Sequence, residues 1–116
     1  MRDLREHYRH DLNELQRELL ALGTLADQAV QRALWALREG ARGVAQAVIE
    51  ADDELDDAAD ALVQHATRLI ATQGPVAGDL RLLSAFMQCA NELERIGDYA
   101  EGIAKLVLRL NGPPLG

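Results

Sequence analysis

Residues 12–37 read LNELQRELLALGTLADQAVQRALWAL, with leucine or alanine at 12, 15, 19, 22, 26, 29, 33 and 37. Steps of three and four bring all eight to one face of a helix. Leu4 and Tyr8 extend the same face upstream, so the spacing predicts one helix from about Asp3 to Arg38. At the helical rise it is about 54 Å long. Gly23 interrupts it at a cost of about 1 kcal/mol relative to alanine. Close contact with a neighbouring helix is the first reason to expect for a glycine there, and a local bend the second.

The rest of the chain repeats the pattern. Gly40-Ala41-Arg42-Gly43 reads as a turn. A second seam follows through Val44, Val48, Ala51, Leu55, Ala58, Leu62, Ala66 and Leu69. Gln73-Gly74-Pro75 ends it, since Gly74 can take a left-handed cap and Pro75 can only start a new helix. A third helix is expected from about Val76 to Leu110, before Asn111-Gly112-Pro113-Pro114 breaks it. The expected fold is all-α, an up-down-up three-helix bundle packed at about 20°. Its domain spans residues 1–110, and residues 111–116 form a Gly/Pro-rich tail or truncated linker.

Composition agrees. Of the 116 residues 48% are hydrophobic but only 3% aromatic, which disfavours a sheet. The net charge of −7 repels phosphate backbones and anionic membrane surfaces, so neither nucleic acid nor a membrane is expected as a partner. The single cysteine, Cys89, sits among Phe86, Met87 and Ala90 and reads as a plain buried thiol. No basic-then-apolar leader opens the chain and no apolar run approaches the roughly 18 residues that span a bilayer. The expected location is cytoplasmic.

One stretch breaks the pattern. In Glu92-Leu93-Glu94-Arg95-Ile96-Gly97-Asp98, Glu94 and Asp98 lie one turn apart on a single face, which Glu101 continues. Like charges at that spacing repel by roughly 0.2–0.5 kcal/mol. Residues equidistant from a turn lie side by side in an antiparallel pair. Counting from Pro75, Glu94 is level with Asp56 and Asp98 with Asp52; counting from the first turn, Asp56 is level with Asp27. Two readings stand. The acids solvate an outer face, as the run Asp52, Asp53, Glu54, Asp56, Asp57 and Asp60 suggests. Or Asp27, Asp52, Asp56, Glu94 and Asp98 converge on a hard cation such as Mg, Mn or ferric iron. A ferritin-like di-iron enzyme would need Glu-x-x-His, and no glutamate here has a histidine three residues on. His7, His10 and His65 read as surface or packing residues. No phosphate loop, nucleophile elbow or Ser/His/Asp set is visible, so no catalytic function is expected.

Glu92-Leu93-Glu94-Arg95-Ile96-Gly97-Asp98 resembles the signature of PhoU proteins, regulators of bacterial phosphate uptake. The resemblance extends to Pro75-Val76-Ala77 with Asp79-Leu80-Arg81, to Val48-Ile49-Glu50-Ala51-Asp52 with Leu55-Asp56, and to Leu22-Gly23 with Asp27. It implies a three-helix repeat whose acidic motif holds metal, with Glu94 and Asp98 first, then Asp52 and Asp56, then Asp27. Fe, Mn, Mg and Zn are not distinguished. It also implies a negative regulator, not an enzyme, coupling a phosphate ABC transporter ATPase to its sensor histidine kinase. The rival from another class is a carboxylate-based metal-storage or redox protein, and a purely structural helical module is third. The sequence departs from the family at Gly74, where Gln is usual, and at Ala58 and Ala59, which replace a larger apolar residue and a glutamate. The family also implies two repeats, whereas this chain carries one. Its third helix shows an apolar surplus: one seam runs Leu93, Ile96, Ala100, Ile103, Val107 and Leu110, and Leu80, Leu83 and Met87 lie on another face. A homodimer that covers the unused face is therefore expected.

Overall fold

Three amphipathic seams give three helices: α1 (Arg2–Glu39), α2 (Arg42–Gln73) and α3 (Ala77–Arg109). The computed structural model describes residues 2–75 and 77–110. Residues 111–116 and the expected helix start at Val76 lie outside the described residues. The helices pack pairwise, each on both others, into a rod of 64 × 19 × 19 Å. No helix among the described residues is long and apolar enough to cross a membrane.

The turns are short and chemically specified. Gly40 takes a φ of 64°, and the Ala41 N–H donates to the Ala36 carbonyl at 2.9 Å, ending α1. α2 then starts at once, so Arg42 and Gly43 belong to its first turn and not to the expected four-residue turn. Arg42 donates from its guanidinium to the Leu108 carbonyl at 2.7 Å, tying this turn to the end of α3. Gly74 caps α2 at φ 53° and ψ 55°, its N–H donating to the Ile70 carbonyl, as its position before Pro75 predicts.

Two core clusters meet along the axis. One is leucine-rich, built on Leu15, Leu22, Leu55, Leu62, Leu69 and Leu83. The other is alanine-rich, built on Ala33, Ala36, Ala45, Ala100 and Ala104 with Val48 and Val107. Small side chains let the helices approach closely there.

The buried registers differ from the expected ones in three places. On α2 the buried residues run Val48, Asp52, Leu55, Ala59, Leu62, Ala66 and Leu69, at steps of four and three. Ala51 is exposed and Asp52 holds its place in the seam; Ala59, not Ala58, is fully buried. On α3 the core passes through Leu83, Ala90, Gly97, Ala100, Ala104 and Val107, whereas Ile96 and Leu110 face water. The two apolar faces expected on α3 are therefore linked by small residues that apolar counting overlooks. Cys89 is exposed, not buried, because it flanks this seam on the α1 side.

Gly23 is not a close-contact glycine: an added Cβ would meet nothing within 4 Å. Gly23→Ala is therefore expected to stabilise the chain by about 1 kcal/mol, through helix propensity alone. Urea unfolding followed by circular dichroism measures it. A loss of stability would mean that the position makes a contact.

Candidate carboxylate cation site

Asp52 arrives in the core by helical register, four residues after Val48 and three before Leu55. It is only 6% exposed. Gly97 of α3 lies directly opposite, where an added Cβ would stand 3.3 Å from Asp52 Oδ1. The missing side chain gives the carboxyl room between the helices. Asp56 is one turn further along α2, and Asp98 follows Gly97 on α3. One carboxylate oxygen from each of Asp52, Asp56 and Asp98 lies within 4.8 Å of the others.

The electrostatics follow from that crowding. Burial pushes Asp52 up from the ordinary 3.8 to about 7, helped by the negative charges of Asp56 and Glu101. Asp56 is also raised, by burial and then by Asp98, while its hydrogen bond with Asp52 works in the opposite direction. Glu94 is raised by burial and then by Asp60, Asp56 and Asp98. The Oδ1 atom of Asp56 is buried without a hydrogen-bond partner. At the edge of the cluster Glu101 pairs with Lys105 at 3.3 Å.

Asp52, Asp56 and Asp98 are thus brought together, with Glu94 one turn along. Asp27 is not. It is exposed and lines a groove between α1 and α3 with Leu20, Gly23, Cys89 and Glu92. Its level along the bundle is the expected one, but its face is different. Asp60 and Glu101 complete the acidic patch. Asp60 signals itself by spacing, since Asp52, Asp56 and Asp60 recur every four residues, and Glu101 continues the Glu94–Asp98 face as the sequence predicts. None of the histidines joins the site: His65 instead contacts Glu18 from Nδ1 at 3.1 Å, linking α2 to α1.

The donor set fits a hard cation. Three oxygens within 4.8 Å can share one ion at the usual Mg, Mn or Ca bond lengths of roughly 2.0–2.6 Å. The orphaned Asp56 Oδ1 is the buried lone pair such an ion would satisfy.

Fold and cluster together define a three-helix bundle with an all-oxygen carboxylate site on its α2–α3 flank. Residues 19–107 match the PhoU domain family, and the chain belongs to that family. It is 38% identical over 109 residues to a phosphate-specific transport system accessory protein PhoU homolog of Clostridium acetobutylicum, covering 93% of this chain and 50% of that protein. A homolog of the same description from Streptococcus pneumoniae is 35% identical over 107 residues, 92% of this chain and 50% of that protein. Another from Aquifex aeolicus is 33% identical over 106 residues, 90% of this chain and 48% of that protein. The chain spans about half the length of these curated relatives. No solved structure matches it.

Proposed function

We propose that the chain is a cytoplasmic regulatory module of bacterial phosphate uptake, an adaptor and not a catalyst. It couples the ATPase of a phosphate ABC transporter to a sensor histidine kinase as a negative regulator, and it works as a homodimer. The observation that carries this reading is family membership across residues 19–107, with relatives described as phosphate-specific transport system accessory proteins. Capture by the immobilised chain from a lysate of a phosphate-starved bacterium tests it. Recovery of the transporter ATPase or the kinase supports the adaptor; recovery of neither, with the chain folded, counts against it.

The carboxylate cluster is proposed to hold a Mg, Mn, Fe or Zn ion through Asp52, Asp56 and Asp98, with Glu94 at its margin. An ion there offsets the mutual repulsion and ionises the buried acids. Binding to the folded state alone stabilises it by mass action, by about 2.7 kcal/mol at a hundredfold excess over the dissociation constant. Melting with chelator and with Mn is expected to show that increase in the parent. Asp56→Asn with Asp98→Asn should abolish it, while Glu94→Gln should retain most of it. A double variant that still responds as the parent does places the ion elsewhere.

A further inference from the structure

We infer that the groove between α1 and α2, at the end of the rod where these helices are joined, docks an acidic amphipathic helix of a partner protein. The inference rests on the adaptor reading and gives it a surface. On the α1 wall stand Arg32, Leu34, Trp35 and Arg38; on the α2 wall stand Gly43 and Ala47. Leu34 is 49% exposed and Trp35 45%, although both are large and apolar. The wall opposite them is low. Gly43 has no side chain, and an added Cβ there would meet nothing within 4 Å. A trough with one high aromatic wall and one low wall of small residues is a shape that seats a further helix.

Charge selects the kind of helix. The chain carries 19 acidic and 12 basic residues, yet two guanidiniums and no carboxylate line this groove. Arg32 makes no ion pair with any described residue. Arg38 touches only its neighbour Glu39, at 3.6 Å, with both side chains largely in water. The surrounding end of the rod shares the bias, since residues 28–50 and 99–110 carry five basic and three acidic residues. An acidic segment is drawn to this end and repelled by the acidic remainder of the rod, which orients it before contact.

The spacing suits a helix. Arg32 and Arg38 are six residues apart, about 9 Å along α1, and match carboxylates on successive turns of a partner. Leu34 and Trp35 lie between them in the sequence and take its apolar face. Tryptophan and arginine are the residues that most often dominate binding at protein interfaces. A free anion would leave Leu34 and Trp35 uncovered. RNA and an anionic bilayer are repelled by the net charge of −7.

Trp35 is the only tryptophan in the chain, so its emission reports occupancy of the groove. The probe is a blocked peptide of about 20 residues, long enough to form a helix, with leucine at alternating steps of three and four and glutamate on its flanks. A twin peptide carries lysine in place of glutamate. The acidic peptide should shift Trp35 emission to shorter wavelength and bind at least about tenfold more tightly than its twin, and less tightly as salt is added. By anisotropy of the labelled acidic peptide, Arg32→Glu should bind about tenfold more weakly. Gly43→Leu, which fills the trough without a clash in the free chain, should not bind. Arg68→Glu makes the same charge change at an exposed α2 position outside the groove and should bind as the parent does. Circular dichroism checks that each variant is helical. Equal binding of the lysine twin, or full binding by Gly43→Leu, overturns the proposal. So does an emission shift on concentrating the chain alone, which assigns the groove to a second copy, or one with phosphatidylglycerol vesicles and not the peptide, which assigns it to a bilayer. Lysate capture separates the groove from the adaptor reading. Recovery of the transporter ATPase or the kinase by the parent and not by Gly43→Leu supports both. Equal recovery by the two overturns the groove alone; recovery of neither, while the acidic peptide binds, overturns the adaptor alone.

Discussion

Asp52→Asn is expected to raise stability by roughly 1.5 kcal/mol at pH 5 and by up to about 4 kcal/mol at pH 8, in chelator. The magnitude is the rise of Asp52 from 3.8 to about 7 at about 1.4 kcal/mol for each pH unit. The sign follows from proton uptake. A carboxyl raised in the folded state binds its proton more tightly there than in the unfolded chain. Its contribution is complete below 3.8 and is lost as the pH climbs to about 7. Asp56 and Glu94 are raised as well and act in the same direction. Asparagine mimics the protonated acid, keeping a donor toward Asp56 without the charge. Replacing a buried charge by a neutral group of the same shape removes its desolvation cost. Urea midpoints at the two pH values measure the effect. A parent whose midpoint does not fall between pH 5 and pH 8 would show that Asp52 ionises at little cost. Bound metal should reverse the trend, because the ion binds carboxylates and competes with protons for them.

That carboxyl also shows how far the sequence can be read. Counting from the turns gives axial level, and the levels hold: Gly97 of α3 lies beside Leu55 and Asp52 of α2, as counting from Pro75 requires to within a turn. Counting gives no rotation. Asp27 therefore has the right level and the wrong face, turned into the α1–α3 groove. Rotation is set by which residues the neighbouring helices accept, and there the apolar pattern misleads. Ala51 fits an apolar seam better than Asp52, yet Asp52 is buried because Gly97 opens space for it. The α3 core runs through Ala90, Gly97 and Ala104, whose small side chains carry little hydrophobic signal. The large residues Ile96, Tyr99 and Leu106 lie on a second, outward seam. Two seams a fraction of a turn apart look like one wide stripe, and Cys89, between them, looks buried when it is not. Helix number and ends were legible because glycine and proline mark them chemically, at Gly40, Gly74 and Pro75.

Gly97→Leu is expected to destabilise the bundle by about 3 kcal/mol or more and to abolish metal-dependent stabilisation with it. The position sits where α3 crosses α2 over Leu55, which is only 2% exposed. A Cβ alone would stand 2.7 Å and 2.8 Å from the two terminal methyl carbons of Leu55. A flexible side chain at a surface could swing aside, but Leu55 is buried within the leucine-rich cluster, where moving it displaces its packed neighbours. Gly97→Ala should therefore lose about 1–2 kcal/mol, since overpacking exceeds the roughly 1 kcal/mol that alanine gains in a helix. That sign is opposite to the one expected at Gly23, where nothing lies within 4 Å. Leucine adds three more carbons at the same collision, and relief requires α3 to move away from α2. Such a shift carries Asp98 away from Asp52 and Asp56, so the oxygens no longer gather within the 4.8 Å they now span. Chemical unfolding of Gly97→Ala and Gly97→Leu, each with and without Mn, separates the effects. A Gly97→Leu chain as stable as the parent would mean that the helices do not meet at this glycine. One that is destabilised but still responds fully to Mn would mean that the ion does not bridge α2 and α3.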